Sequence, residues 1–189
     1  MNFFIADTHF YHKNIIIYAS RPFRDVEEMN EKIIENWNSR VKPRDTVYHL
    51  GDFAMCSNTL LSGIMDRLNG KILLVRGNHD NRNMTAWQDL GFTVLRCPPI
   101  ELKKEKILLS HYPLLDTQIP EGWINVHGHI HDKMLNACVY HNREGGLENE
   151  FPKRQYSPEK HICVSVERIN YTPQTLEEVL ALPRDRPKE

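Results

Sequence analysis

Five apolar runs in this sequence stop at side chains that can bind a metal ion or move a proton. Phe3-Phe4-Ile5-Ala6 leads into Asp7-Thr8-His9, and Thr46-Val47-Tyr48-His49-Leu50 leads into Gly51-Asp52. Lys71-Ile72-Leu73-Leu74-Val75 leads into Arg76-Gly77-Asn78-His79-Asp80, where a glycine can take backbone angles a side chain forbids. Lys106-Ile107-Leu108-Leu109-Ser110 precedes His111-Tyr112-Pro113, and Trp123-Ile124-Asn125-Val126 precedes His127-Gly128-His129-Ile130-His131. Open α/β sheets bind their ligands outside the carboxyl ends of strands. Asp7, His9, Asp52, Asn78, His111, His129 and His131 are therefore seven oxygen or nitrogen donors expected at one sheet edge. In extended backbone, residues two apart point the same way, so Asp-x-His and His-x-His can each serve one site.

Seven donors exceed what one tetrahedral ion needs and suit two adjacent ions sharing a bridging carboxylate. No cysteine joins the set, which argues against a structural zinc or soft-metal site. Imidazoles favour Zn²⁺, Mn²⁺, Fe²⁺ or Ni²⁺ over Mg²⁺ or Ca²⁺. Each block has a bland reading on its own. Asp-x-His and Gly-Asp are common turns, and Asn78 or Asp80 is a fitting helix cap. The recurrence of one design after five runs is what chance explains poorly.

The elements that must carry these residues are legible from periodicity. Asp25 is the expected N-cap of a helix whose Val26, Met29, Ile33, Trp37 and Val41 recur at three- and four-residue spacing. Leu60, Leu61, Ile64, Met65 and Leu68 mark a second amphipathic helix closed by Asn69-Gly70. With the intervening strands this spells β-α-β-α-β, hence parallel strands joined by right-handed crossovers. Short helices are expected over 14–19 and 84–90. Further strands are expected at 92–95, 100–102, 106–110, 123–126 and 161–166, and a closing helix over 177–182. Residues 142–158 read as an exposed excursion.

At 189 residues, with 40% hydrophobic and 26% charged residues, the chain is expected to form one domain over 1–183 with a charged tail at 184–189. A formal net charge of -1 gives no basic field for nucleic acid or membrane. Cys56, Cys97, Cys138 and Cys163 are too scattered for a disulfide framework. The N-terminus lacks a signal-peptide pattern and no run reaches membrane-spanning length, so a cytoplasmic location is expected.

Together, Asp7-Thr8-His9, Gly51-Asp52, Gly77-Asn78-His79-Asp80, His111 and Gly128-His129-Ile130-His131 resemble the signature of calcineurin-like metallophosphoesterases, of the small uncapped bacterial and phage type. The resemblance implies a four-layer αββα sandwich of two mixed β-sheets flanked by helices. It assigns Asp7, His9, Asp52 and His131 to one divalent ion. Asp52, Asn78, His111 and His129 go to the other, with Asp52 bridging. It implies a phosphoester hydrolase, foremost a phosphodiesterase on a small nucleotide-like ester, working through a hydroxide between the two ions. The alternatives are a phosphomonoesterase or nuclease of the same family, or a non-catalytic scaffold that retains the metal site. His79 is expected to face the substrate as acid or charge stabiliser, with Asp80 orienting it by a hydrogen bond. His12, Arg76 and Tyr112 are candidate phosphate contacts. His127 is a candidate for supporting the ligands from behind, while His49 and His161 read as structural histidines inside strands.

Overall fold

The computed structural model describes residues 1–96, 98–133, 135 and 156–184. Cys97, Cys138, the excursion up to residue 155 and the tail beyond residue 184 lie outside the described residues. The first sheet is built from β1 (Asn2–Ile5), β2 (Thr46–His49), β3 (Lys71–Val75), β4 (Thr93–Leu95) and β9 (Gln174–Thr175), in the order β4-β3-β2-β1-β9. β1 to β4 run parallel, and β9 lies antiparallel on β1. The second sheet contains β5 (Ile100–Leu102), β6 (Ile107–Leu109), β7 (Ile124–His127) and β8 (His161–Cys163), in chain order. Here β5 is antiparallel to β6 and the rest are parallel. Both sheets are thus mixed, and helices flank them.

The period of two along each strand divides the core. Phe3 and Ile5 face one way and pack with Val47, Ile72 and Leu74 against α1 (Ile15–Tyr18), α2 (Val26–Arg40), α3 (Asn58–Met65) and α4 (Met84–Asp89). Phe4 and Ala6 face the other way and pack with Leu50 and Val75 against Ile107, Leu109, Val126, Ile162 and Val164 of the second sheet. The α2 stripe buries Met29, Ile33, Ile34 and Trp37, and its N-cap Asp25 accepts from the Glu28 N–H at 2.8 Å. On the outer face of the second sheet a smaller cluster gathers Ile130, Leu135, Tyr156 and Cys163. Nearby are the 3-10 turns Asp116–Gln118 and Pro158–Lys160.

Two local differences from the periodicity have simple causes. The last strand stops at Cys163 instead of Val166, because Val166–Arg168 turns into a 3-10 helix. β9 is a two-residue edge strand too short to show a period. It leads directly into α5 (Leu176–Ala181), whose capping box joins Thr175 and Glu178.

The two sheets meet at the end where both discharge their loops. Ala6 pairs with Ser165 in a one-residue parallel bridge, with Ala6 N–H donating to the Val164 carbonyl at 2.9 Å and Val166 N–H to the Ala6 carbonyl at 3.1 Å. His49 locks the adjacent strand end. The Thr8 hydroxyl donates to the Phe53 carbonyl at 2.8 Å, so it accepts from His49 Nε2 at 3.0 Å, which fixes the neutral tautomer. His49 Nδ1 is buried without a partner, and burial holds the ring's pKa down at about 3.

That depressed pKa has a stability consequence. Below its ordinary pKa near 6.5, His49 takes a proton in the unfolded chain but not in the fold, down to about 3. The contribution is complete above the unfolded value and is lost as pH falls, by about 1.4 kcal/mol per pH unit. His49→Gln keeps a donor for Thr8 and is expected to lower the pH slope of the unfolding free energy by that amount between pH 6 and 4. An unchanged slope in denaturant titrations would contradict it.

Candidate metal centre

The donors collect at the junction of the two sheets. Asp7, His9 and His131 form one group, and Asp52, His111 and His129 another, with the potential ligand atoms inside each group all within 4.8 Å of one another. Asp52 joins the groups. Its Oδ2 lies 3.6 Å from His9 Nε2 and 3.5 Å from His111 Nε2, while its Oδ1 accepts the His79 backbone N–H at 2.8 Å. Asn78 Oδ1 lies 2.9 Å from His111 Nε2, which brings the seventh donor into the second group.

Bringing so many donors together takes unusual backbone. Asp7 (φ 58°), His9 (φ 51°), Asp52 (φ 56°), His129 (φ 70°) and His131 (φ 52°) all adopt left-handed conformations. For residues with a Cβ this is costly, on the order of 1–3 kcal/mol each, and such strain concentrates at functional sites. The shared direction of Asp7 and His9 therefore comes from two left-handed residues and not from extended backbone. His129 and His131, two apart, serve different groups for the same reason. Gly77 is needed for space, since its φ is not left-handed. A Cβ there would sit 2.2 Å from Asp52 Oδ1 and 2.6 Å from Asp52 N. A Cβ on Gly128 would come within 2.5 Å of Asp7 Oδ2.

The donor atoms suit a cation. Asp7 Oδ2 accepts from the Ser165 hydroxyl at 2.6 Å and the His129 N–H at 2.9 Å, but its Oδ1 is buried without a partner, as is His9 Nε2. Buried polar atoms are rarely left so in folded proteins. His111 Nδ1–H donates to the Leu50 carbonyl at 2.8 Å, leaving Nε2 as the lone-pair nitrogen beside Asp52 and Asn78. Burial keeps His129 near 3 and His9 well below its ordinary range, so both rings are neutral and have a lone pair to give at pH 7. Burial raises the Asp7 pKa, and the nearby Asp52 charge raises it further, with His131 and His111 opposing. A cation between these groups would relieve that conflict.

Two residues that sequence reading passed over brace the site. Arg21 and Glu167 are 146 positions apart, which no spacing rule connects. Arg21, 4% exposed, donates to the Thr8 carbonyl at 2.9 Å and the Asp7 carbonyl at 2.7 Å, holding the left-handed turn. It also donates to Glu167 Oε1 at 2.8 Å, and that same oxygen accepts from His131 Nδ1 at 2.9 Å. Burial opposes charge on both His131 and Glu167, yet their mutual bond, with Asp7 and Arg21, raises the histidine and lowers the carboxyl. A carboxylate behind an imidazole turns its other nitrogen toward a metal and raises its basicity.

The remaining candidates fall in distinct places. The His79 ring lies 5.3 Å from His9 and 5.8 Å from His12, and His12 Nδ1 is 3.2 Å from His9 Nδ1. Tyr112, 41% exposed, stands 4.4 Å from the His129 ring. Arg76 donates twice to the Asp80 carbonyl, at 3.1 and 2.7 Å, and so ties its own loop. Asp80 departs from expectation. Its carboxylate accepts from the backbone N–H groups of Asp52 (2.8 Å), Phe53 (3.0 Å) and Gly77 (2.8 Å), and none of its bonds goes to the His79 ring. A buried carboxylate between two loops with unsatisfied N–H groups is consumed by them. Nor does it cap a helix, since Asn83 caps α4. His127 turns away from the donors, donating to the Gly128 carbonyl and packing 5.5 Å from His161.

The profile of the calcineurin-like phosphoesterase superfamily domain matches residues 1–147. The chain belongs to this superfamily. An uncharacterised protein of Methanocaldococcus jannaschii is 39% identical over 183 residues, covering 95% of this chain and 89% of its own length. Gene 66 protein of Mycobacterium phage L5 is 27% identical over 172 residues, covering 75% and 82%. A crystal structure of an Aquifex aeolicus protein of unknown function superposes with a TM-score of 0.64 at 31% identity, covering 96% of this chain and 98% of that one. Like other calcineurin-like phosphoesterases, this protein carries the residue groups for divalent metal ions. Among the described residues no helix is long and apolar enough to cross a membrane.

The brace is testable. Glu167→Ala is expected to weaken divalent metal affinity about 10–100-fold. It should also destabilise the fold by about 3–5 kcal/mol, because Arg21 loses its buried partner. Glu167→Gln, which keeps an acceptor for His131, should recover part of the metal affinity. Metal affinity equal to wild type in the folded Ala variant would show that Glu167 supports only the fold.

Proposed function

We propose that this chain is a phosphodiesterase acting on a small nucleotide-like ester at a site for two divalent ions. The observation that carries this reading is the position of the Asp52 carboxylate between His9 and His111, one from each donor group. Asp7, His9, His131 and Asp52 would hold one ion, and Asp52, Asn78, His111 and His129 the other. When bound, such a pair supplies a water acidic enough to ionise near neutral pH and positive charge against the phosphoryl oxygens.

The chain's own residues do the rest. Neutral His9 and His129 give lone pairs without losing a proton. Arg21, Glu167 and Ser165 set the angles at which Asp7 and His131 approach. His79 is anchored through its backbone on Asp52, so its ring stays beside the donors while remaining partly open to solvent. Hydrolysis forms a bond from phosphorus to water oxygen and breaks the bond to the leaving alcohol. His79 gives the leaving oxygen its proton, and the proton lost by the attacking water passes to solvent, from which His79 is reprotonated. His12 steadies that ring, and Tyr112 offers a hydroxyl on the far side of the donors. The formal net charge of -1 favours a small diester over a long polyanion, which needs many phosphate contacts.

The test is metal-stripped protein reloaded with Mn²⁺, Zn²⁺ or Ni²⁺ and assayed on bis-p-nitrophenyl and p-nitrophenyl phosphate. The diester should turn over faster, and faster monoester turnover would move the protein to the phosphomonoesterases. Asp52→Asn should lose most activity together with metal content. His79→Gln should keep the metal and lose about 10²–10⁴-fold in kcat, less for good leaving groups. Near-wild-type turnover of Asp52→Asn with two ions bound would contradict the dinuclear reading.

A further inference from the structure

An open cleft of about 560 Å³ begins at His79 and runs away from the metal-ligand groups along the loop after Phe53. That volume is in the range of small-molecule sites. Ala54, Met55 and Cys56 form one wall, and Asn58, Asn81 and Arg82 form the polar rim. Met55 is 43% exposed although the core beneath it is closed by Phe53 and Ala54.

Arg82 is immobilised. Its Nε donates to Asn58 Oδ1 at 2.8 Å, its Nη2 donates to the Cys56 carbonyl, and the guanidinium lies 5.1 Å over the ring of buried Trp87. Tying the 79–83 loop to the 55–58 loop uses only Nε and Nη2. Nη1 has no hydrogen-bond partner among the described residues, and Trp87 stands on one face of the group. The guanidinium is thus rigid before anything binds, which reduces the entropy lost on binding.

The lining selects an occupant. An inorganic anion would want converging N–H donors, but Met55 and Cys56 offer apolar surface. An aliphatic chain would gain nothing from a fixed guanidinium and two amides. A nucleobase fits both demands, having flat apolar faces and a polar edge. Arginine stacks on heteroaromatic rings, a methionine thioether packs against them, and asparagine amides pair with base edges. We propose that this cleft is the subsite for the base of a nucleotide whose phosphate lies at the metal-ligand groups. The inference rests on the phosphodiesterase reading for the position of that phosphate.

The experiment is competitive inhibition of Mn²⁺-loaded protein acting on bis-p-nitrophenyl phosphate. The probes are the four nucleoside 5′-monophosphates and ribose 5-phosphate, which has the sugar and phosphate without the base. Stacking contributions to base binding are typically large enough for about a 10-fold effect. At least one nucleotide should bind about 10-fold more tightly than ribose 5-phosphate. Arg82→Ala and Met55→Ala should each cut that advantage to about 3-fold or less, with ribose 5-phosphate unchanged. If Arg82→Ala fails to fold, Met55→Ala decides, because it truncates an exposed side chain. Equal binding of all probes to wild type, or an advantage that survives in the folded variants, overturns the subsite. Absence of any turnover counts against the hydrolase reading instead. The same probes are then compared by calorimetry, where the base-dependent difference is still read.

Discussion

The Asp52 carboxylate, 2% exposed, sits with one oxygen on a backbone N–H and the other between two imidazoles from different strands. Among the described residues no lysine or arginine pairs with it, since Arg21 serves the carbonyls of Asp7 and Thr8 and the Glu167 carboxylate. A buried carboxylate is expensive unless positive charge or hydrogen-bond donors compensate it. Much of the nearby architecture meets that demand. Gly77 leaves room for the carboxylate, and Asp80 gathers the N–H groups on either side of it. The bridge between Ala6 and Ser165 brings the second sheet's histidines to the first sheet's edge.

The same constraint explains the backbone. Five donors in left-handed conformations amount to stored strain that only tight surroundings can sustain. Arg21 and Glu167 provide such surroundings on one side, and Asp80 provides them on the other. The apolar clusters on the two faces of the first sheet make the scaffold stiff enough for those bonds to keep their lengths. Stability and site are coupled here, because the residues that end the strands also carry the chemistry.

The parts legible in the sequence were those with local rules. Strand runs, the α2 stripe and the Asp25 cap follow from periodicity and short-range hydrogen bonding, and five motif blocks marked the donors. Other features depend on contacts that no local rule predicts. Asp80 reads as a partner for its neighbour His79, but long-range N–H groups from Asp52 and Phe53 claim it. His127 adjoins the donor run in sequence, yet its ring packs on His161 instead of behind the donors. Arg21 belongs to none of the motif blocks, and only folding brings it to Glu167. The division of His129 and His131 between two groups likewise came from family resemblance, since extended spacing alone would have placed them together.

The claim that Asp52 joins two ion sites is tested most directly by titrating metal-stripped protein with Mn²⁺ and following electron paramagnetic resonance alongside activity. Two equivalents should bind per chain. The second should bring activity and replace the isolated-ion signal with that of a magnetically coupled pair. Saturation at one equivalent with full activity, or two bound ions without coupling, would contradict it.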